Sequence, residues 1–334
     1  MTVTARDVAA VAGVSQRTVS NVVNIPDRVA ASTRARVQAV IDELGYRPNL
    51  HARGLRTSRT GLVALVVPQL DVPYFADLAR SLVPELERRS LTLVVDETDG
   101  DPDRERAVLS GGAVSAGFDG VLLSALSLTA ADVATAAATQ PIVLLGEQDY
   151  GPGIDHISVD GVEAAYAATR HLIESGSRRI AAIGRQAHPN GTSIQRLAGF
   201  TAAMEEAGLD PLRYIAHVQY NRESGHATMS ALLERPDPPD AVFCFNDVLA
   251  LGAMRAAWER GLEIPRDLAV VGFDDIEDGR FARTALTTIA PDKAAIARRA
   301  VEMLGERMSG AGGPGRSERA GFELIVRESS APLR

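Results

Sequence analysis

The chain has 334 residues, 46% of them hydrophobic, a net charge of −8 and a single cysteine, Cys244. That length suits one large domain or two to three smaller ones. No apolar run reaches the roughly 18 uncharged residues of a membrane span, and one thiol excludes an internal disulfide or a cysteine metal cluster. Residues 1–7 show no basic patch followed by an apolar stretch, so no secretory signal is expected and the protein reads as cytoplasmic and reduced. The six histidines are scattered without ligand spacing, so neither a metal nor another cofactor is expected.

The net acidity hides an asymmetry. Residues 1–60 hold nine arginines against Asp7, Asp27, Asp42 and Glu43, a net +5 that leaves −13 on the remainder. A basic head on an acidic body is the distribution expected when one module meets nucleic acid and the other does not.

The head comes first in chain order. Thr4-Ala5-Arg6-Asp7 reads as a helix N-cap with an acidic residue three positions on. Val8, Ala9 and Ala12 follow at helical spacing, and Gly13 ends this short helix. Ser15 caps a second helix, Gln16 to about Val23, with Val19, Val22 and Val23 on its buried face, broken by Asn24-Ile25-Pro26-Asp27. A third starts near Ser32-Thr33 and runs through Val37, Val40, Ile41 and Leu44 to Gly45. Two short helices joined by a tight turn and braced by a third form a helix-turn-helix. Such a motif presents the start of its second helix to the major groove. Gln16, Arg17 and Asn21 stand there, side chains able to bond base edges in pairs. Ser15, Thr18 and Ser20 suit phosphate contacts. Thr4 and Asn24 join the expected DNA-contacting set.

The run Ala5-Arg6-Asp7-Val8-Ala9-Ala10-Val11-Ala12-Gly13-Val14-Ser15-Gln16-Arg17-Thr18-Val19-Ser20-Asn21-Val22-Val23-Asn24 closely resembles the headpiece of the LacI/GalR family of bacterial transcription regulators. Leu44-Gly45-Tyr46-Arg47-Pro48-Asn49 does so too. The resemblance implies that Gln16, Arg17 and Asn21 are base readers. Pro48-Asn49-Leu50-His51-Ala52-Arg53-Gly54-Leu55-Arg56 is similar to the family's hinge. There Asn49 would cap a short helix, Ala52 and Arg53 would contact DNA, and Leu55 would wedge into the minor groove. Gly54 costs such a helix about 1 kcal/mol, so the hinge is expected to order on DNA.

From Thr60 the pattern changes. Leu62-Val63-Ala64-Leu65-Val66-Val67-Pro68 is a continuous apolar run typical of a buried parallel strand. A helix through Phe75, Leu78, Leu82 and Leu86 follows, then strands at 91–95, 120–123 and 142–145 with helices between. A second series has strands at 179–183, 241–245 and 268–271, separated by helices at 162–175, 196–207, 225–233 and 247–260. This alternation predicts parallel, doubly wound sheets, and about 270 residues call for two lobes rather than one. The Cys244 thiol sits in one of the apolar runs and reads as a buried small side chain.

Ligands of open α/β sheets bind beyond the carboxyl ends of strands. The residues found there are Asp71, Tyr74 and Phe75, then Ser124, a polar loop ending at Arg196, Asn246-Asp247, and Asp274-Asp275. One guanidinium, carboxylates, an amide and aromatic rings suit a polar, polyhydroxylated small ligand. Asn246 also reads as the cap of the helix after it, and Asp275 as structural.

The family resemblance continues in Arg196-Leu197-Ala198-Gly199-Phe200, Phe245-Asn246-Asp247, Val271-Gly272-Phe273-Asp274-Asp275, Leu286-Thr287-Thr288-Ile289 and Arg327-Glu328-Ser329. It implies a body similar to periplasmic sugar-binding proteins. Arg196 and Asp274 would be the foremost effector ligands, followed by Asn246, Tyr220, Ser124, Tyr74 and Phe75; Asp71 joins the expected set from its place after the first strand alone. Pro291 stands where the family commonly carries a Gln. The expected organisation is therefore an all-α helix-turn-helix headpiece (1–48), a hinge (49–59) and a two-lobed α/β effector-binding and dimerisation domain with parallel sheets (60–334). Its lobes span about 60–160 with 290–322, and 161–289 with 323–334. The expected activity is that of a repressor, a homodimer on near-palindromic operator DNA, controlled by a small effector, a sugar or alternatively a purine. A transporter's solute-binding protein would leave residues 1–60 unexplained. An enzyme would need a Gly-x-Gly-x-x-Gly turn, a phosphate loop or a nucleophile elbow, and none is present.

Overall fold

The computed structural model describes residues 3–24, 26–46, 59–110, 117–138, 140–186 and 190–331. It divides into two compact units, Met1–Thr60 and Gly61–Arg334. The expected hinge residues Asn49, Ala52, Arg53 and Leu55 lie outside the described residues.

The first unit holds α1 (Ala5–Ala12), α2 (Gln16–Asn24) and α3 (Ala31–Leu44). Thr4 and Asp7 form a reciprocal capping box on α1. Gly13 ends that helix in the left-handed region at φ 64°, a conformation that a side chain would strain. This lets the chain reverse within two residues. Val8, Ala12, Val19, Val22, Val37 and Ile41 are buried against one another, so one apolar stripe per helix suffices for a small core. The third helix begins at Ala31, well before its first buried residue, and its N-cap, Ala30, makes no side-chain bond.

The second unit contains two six-stranded sheets. In the first, β1 (Leu62–Val67) lies between β2 (Thr92–Glu97) and β3 (Gly120–Leu123), followed by β4 (Ile142–Leu145) and β5 (His156–Val159). All these pairings are parallel. Both faces of β1 are covered. Val63, Leu65 and Val67 point into a core shared with Leu78 and Leu82 of α4 (Pro73–Glu87), and Ala64 and Val66 into one with Val108 and Leu109 of α5 (Pro102–Leu109) and Val133 of α6 (Ala130–Ala137). A strand buried on both sides reads as an unbroken apolar run.

The chain crosses to the second sheet at α7 (Gly161–Glu174), which leads to β6 (Ile180–Arg185), α8 (Gly191–Glu206), β7 (Ile215–His217) and α9 (Arg222–Leu233). Next come β8 (Ala241–Cys244), α10 (Asp247–Glu259), β9 (Ala269–Phe273), the one-turn α11 (Glu277–Arg280) and β10 (Thr287–Pro291). After Pro291 the chain crosses back as α12 (Lys293–Ser309), which packs on α4 and behind β3, β4 and β5. The edge strand β11 (Ser317–Ala320) joins β5, and a last crossing delivers β12 (Phe322–Ile325), antiparallel to β10. The unit is thus two lobes linked by three crossings, a periplasmic-binding-protein-like α/β architecture.

Helix pairs on the second sheet pack unusually close. A Cβ on Gly199 would lie 2.1 Å from the Val162 carbonyl oxygen, and one on Gly252 2.1 Å from that of Arg222. Glycine is required there by backbone contact between α7 and α8 and between α9 and α10.

Two expectations need correction. The second helix of the second series begins at Gly191, not 196, because Asn190 Oδ1 accepts the Ser193 N–H at 3.0 Å and caps it. Arg196 therefore sits inside a helix, not at a loop end. The strands β5, β7, β11 and β12 are only three or four residues long, too short for a periodic signal.

Candidate functional site

The first unit offers a polar helix start. Ser15 Oγ accepts the Thr18 N–H at 3.1 Å and lies 2.9 Å from Thr18 Oγ1, which anchors the first turn of α2. Ser15, Gln16 and Arg17 are exposed there, with Thr18, Ser20 and Asn21 partly exposed beside them. The exposed Thr4 closes the cap of α1. Asn24 ends α2, and its side chain lies outside the described residues. The apolar face of α2 packs on α1 and α3, so its polar face turns away from that core.

In the second unit the carboxyl ends of both sheets face one cavity of about 920 Å³ between the lobes. Tyr74, Phe75, Ser124, Arg196, Tyr220, Asn246 and Asp274 all line it. Asp71 does not. It occupies the exposed turn before α4, and the first lobe instead contributes Gln69 and Val72 from that turn.

A buried ion pair dominates the cavity. Arg196, on the second turn of α8, is 6% exposed, and Glu147, two residues past β4, is 5% exposed. Arg196 Nη2 donates to Glu147 Oε1 at 2.6 Å and Nε reaches both carboxylate oxygens at 3.2 Å. Nη1 donates to the carbonyl oxygen of Phe245. The guanidinium plane lies 3.4 Å from the centroid of the Phe273 ring, a stacking that a desolvated arginine favours. The pair joins the lobes, since Glu147 follows a strand of the first sheet and Arg196 belongs to a helix on the second. Burial opposes the arginine's charge, but Glu147 and Asp274 outweigh it and hold its pKa above the ordinary value.

Asp274 follows β9 at φ 116°, a conformation that non-glycine residues rarely adopt and that costs on the order of 1–3 kcal/mol. Its N–H donates to the Ile289 carbonyl at 2.8 Å, which holds the turn. Burial pushes its carboxyl up to about 7, against the opposing pull of Arg196 and Lys293. The neighbouring Asp275 bonds Arg327 at 2.6 Å instead. Asn246 Oδ1 caps α10 through the Leu249 N–H at 3.0 Å while also lining the cavity. Asp247 is wholly buried; its oxygens accept from Thr288 Oγ1 at 2.6 Å and the Ile276 N–H at 2.9 Å. Burial raises its pKa well above the usual carboxylate range.

Aromatic rings complete the wall. Tyr74 and Phe75 meet edge to face, with centroids 5.3 Å apart. Burial raises the pKa of both Tyr74 and Tyr220, so both hydroxyls are neutral donors. The Tyr220 hydroxyl is buried and has no hydrogen-bond partner among the described residues. Pro291 lines the cavity with its ring, adding no side-chain donor. Glu147 and Phe273 were missed by sequence reasoning. Both stand where the rule of strand carboxyl ends points, after β4 and at the end of β9, so the signal existed. What was invisible was that the glutamate is paired.

The family model for bacterial regulatory proteins of the lacI family matches residues 4–49, and that for a periplasmic binding protein-like domain matches residues 169–330. The transcriptional repressor PurR of Haemophilus influenzae (strain PittEE) is 36% identical over 315 residues, covering 92% of this chain and 91% of the relative. This chain belongs to the LacI family. The regulator DegA of Bacillus subtilis (strain 168) is 35% identical over 348 residues, covering 100% of this chain and 99% of the relative. Among solved structures, the Lac repressor dimer bound to operator and the anti-inducer ONPF is 26% identical with a TM-score of 0.85, over 99% of each chain. The transcriptional regulator CelR in complex with cellobiose is 31% identical with a TM-score of 0.71, over 98% of this chain and 99% of that one. This LacI-family member is accordingly a DNA-binding transcription regulator with an effector-binding body, and its relatives are regulators rather than enzymes. Among the described residues no helix is long and apolar enough to cross a membrane and no cluster of metal-ligating side chains occurs.

Proposed function

We propose that this regulator is a homodimeric repressor that reads a near-palindromic operator with α2 and senses a sugar or sugar derivative in the inter-lobe cavity. The observation that carries this reading is the convergence of Arg196, Asp274, Asn246, Ser124 and Tyr220 on one cavity walled by aromatic rings. Directional donors and acceptors against ring faces are what a polyhydroxylated ring compound requires. A purine is the second reading, favoured by the four aromatic rings of Tyr74, Phe75, Tyr220 and Phe273 around the cavity. In either case the effector bridges the lobes through Arg196 and Asp274 on one side and Ser124 and Tyr74 on the other. Effector binding then changes operator affinity by favouring one lobe arrangement over another. On DNA, Gln16, Arg17 and Asn21 read bases, Thr4, Ser15, Thr18, Ser20 and Asn24 hold phosphates, and Asn49, Ala52, Arg53 and Leu55 act at the hinge.

Selection of the full chain on random duplexes tests the reading. A near-palindromic site should emerge, and Arg17→Ala should cost about 1–3 kcal/mol and relax one position per half-site. Recovery without sequence preference would reject the role of α2. Addition of cognate sugar or purine should then shift binding to the selected site.

A further inference from the structure

We infer that the effector of this regulator is uncharged: the cavity takes hydroxyl- or amide-bearing ring compounds and rejects those carrying phosphate or carboxylate. This rests on the cavity being the effector site. The ionisable acidic and basic lining residues among those described are Asp99, Glu147, Arg196, His217 and Asp274. Arg196 is their one permanent cation, and its charge is already spent. Glu147 takes it in two-pronged fashion, the Phe245 carbonyl takes a third N–H, and Phe273 covers one face. Three of its five N–H donors are thus occupied. Those that remain can bond a neutral oxygen, but the pair as a whole offers no net positive charge.

The remaining balance is negative. Asp274, 7% exposed, adds a second carboxylate beside the neutralised pair, and Asp99 adds a third at the exposed part of the lining. The chain's single lysine, Lys293, does not redress this. It is outside the lining and bonds Asp77 at 3.1 Å and the Asp275 carbonyl at 3.2 Å. His217 is on an exposed stretch of the lining, outside the buried pair. An anionic ligand would therefore enter a desolvated site with no unpaired permanent cation among the described lining residues, where carboxylates repel it. The Tyr220 hydroxyl, buried without a partner among the described residues, is free to bond a hydroxyl or carbonyl oxygen of a ligand.

The test is a thermal-shift and calorimetric comparison on the full chain at pH 8. Glucose, ribose, cellobiose, adenosine and hypoxanthine are set against glucose 6-phosphate, ribose 5-phosphate, gluconate and AMP. Only shifts lost in the Arg196→Met/Glu147→Gln double variant are counted, which removes anion binding at the basic headpiece. Uncharged compounds alone should pass, with a charged counterpart bound about 100-fold more weakly. Inorganic phosphate supplies an arm independent of effector identity. It should not shift the wild type beyond that double variant. It should protect Glu147→Gln, whose Arg196 charge is released, but not Glu147→Asp. If Glu147→Gln fails to fold, Asp274→Asn, which leaves the ion pair intact, should show the same relief in smaller degree. An Arg196-dependent shift of the wild type by any phosphate or carboxylate compound overturns the inference, as does a Glu147→Gln or Asp274→Asn protein no more receptive to phosphate than the wild type. If the phosphate arm behaves as expected while no compound of either set binds, charge exclusion stands and it is the choice of this cavity as the effector site that fails.

Discussion

The two units of this regulator place their chemistry at opposite extremes of exposure. In the first, Gln16 and Arg17 stand in solvent on a helix whose other face makes the core. Neither side chain is part of that core. In the second, Arg196 and Glu147 are almost wholly buried and bonded to each other, so the proposed recognition groups are also structural. The contrast teaches that recognition and stability separate at the proposed base readers and are fused in the buried pair. Gln16 or Arg17 can change without cost to folding, whereas one partner of the pair cannot be removed alone.

That contrast breaks most visibly at Arg196. Replacing it with alanine strands Glu147 as an unpaired buried charge, and loss of one partner of a buried pair costs about 3–5 kcal/mol. The double variant Arg196→Met/Glu147→Gln should recover most of that loss in urea unfolding, since replacing both partners removes the stranded charge. Equal destabilisation of single and double variants would show that the pair is not what holds the lobes together. Arg17→Ala, by comparison, should leave the unfolding midpoint of the chain unchanged.

The next effect depends on pH. Asp274 is held near 7 by burial, whereas in the unfolded chain it titrates near 3.8. The folded state keeps the proton longer, so the contribution of this group is most favourable below about pH 4 and is lost as pH rises to about 7. Asp274→Asn removes the dependence. Its stability relative to wild type should climb through that window by on the order of a few kcal/mol, read from urea titrations at successive pH values. Parallel curves for the two proteins would mean that Asp274 is charged in the fold.

The smallest effect lies in the headpiece. Thr4→Ala deletes the reciprocal cap on α1 and should cost about 1 kcal/mol of headpiece stability, measured by amide exchange in α1 and α2. No change would mean that the cap is redundant with the core of Val8, Val19 and Val37.

Much of the molecule is legible in the amino-acid sequence. The capping box at Thr4, the turn at Gly13 and the valines at helical spacing are local codes, so α1 to α3 emerge with boundaries close to those observed. The runs at 62–67, 120–123 and 142–145 are apolar because both faces of those strands are covered, and the strand–helix alternation implies parallel sheets. Legibility fails where the signal is short or non-local. The four-residue strands β5, β11 and β12 owe their existence to neighbours, not to periodicity. Asp71 carries a plausible residue type at a plausible strand end, yet the turn before α4 holds it in solvent.

What the sequence by itself determined is therefore whatever is encoded within a few turns of chain: the three headpiece helices, the polar start of α2, the alternating elements of the body and the residues at their carboxyl ends. What only the tertiary structure decided is which of those residues meet. Glu147 and Arg196 are 49 positions apart and come from different lobes. Their pairing, and with it the spent charge of the cavity, follows from two sheets packed so that their carboxyl ends converge. The energy of a buried charge depends on every partner within a few ångströms, and no local pattern in the chain records who those partners will be.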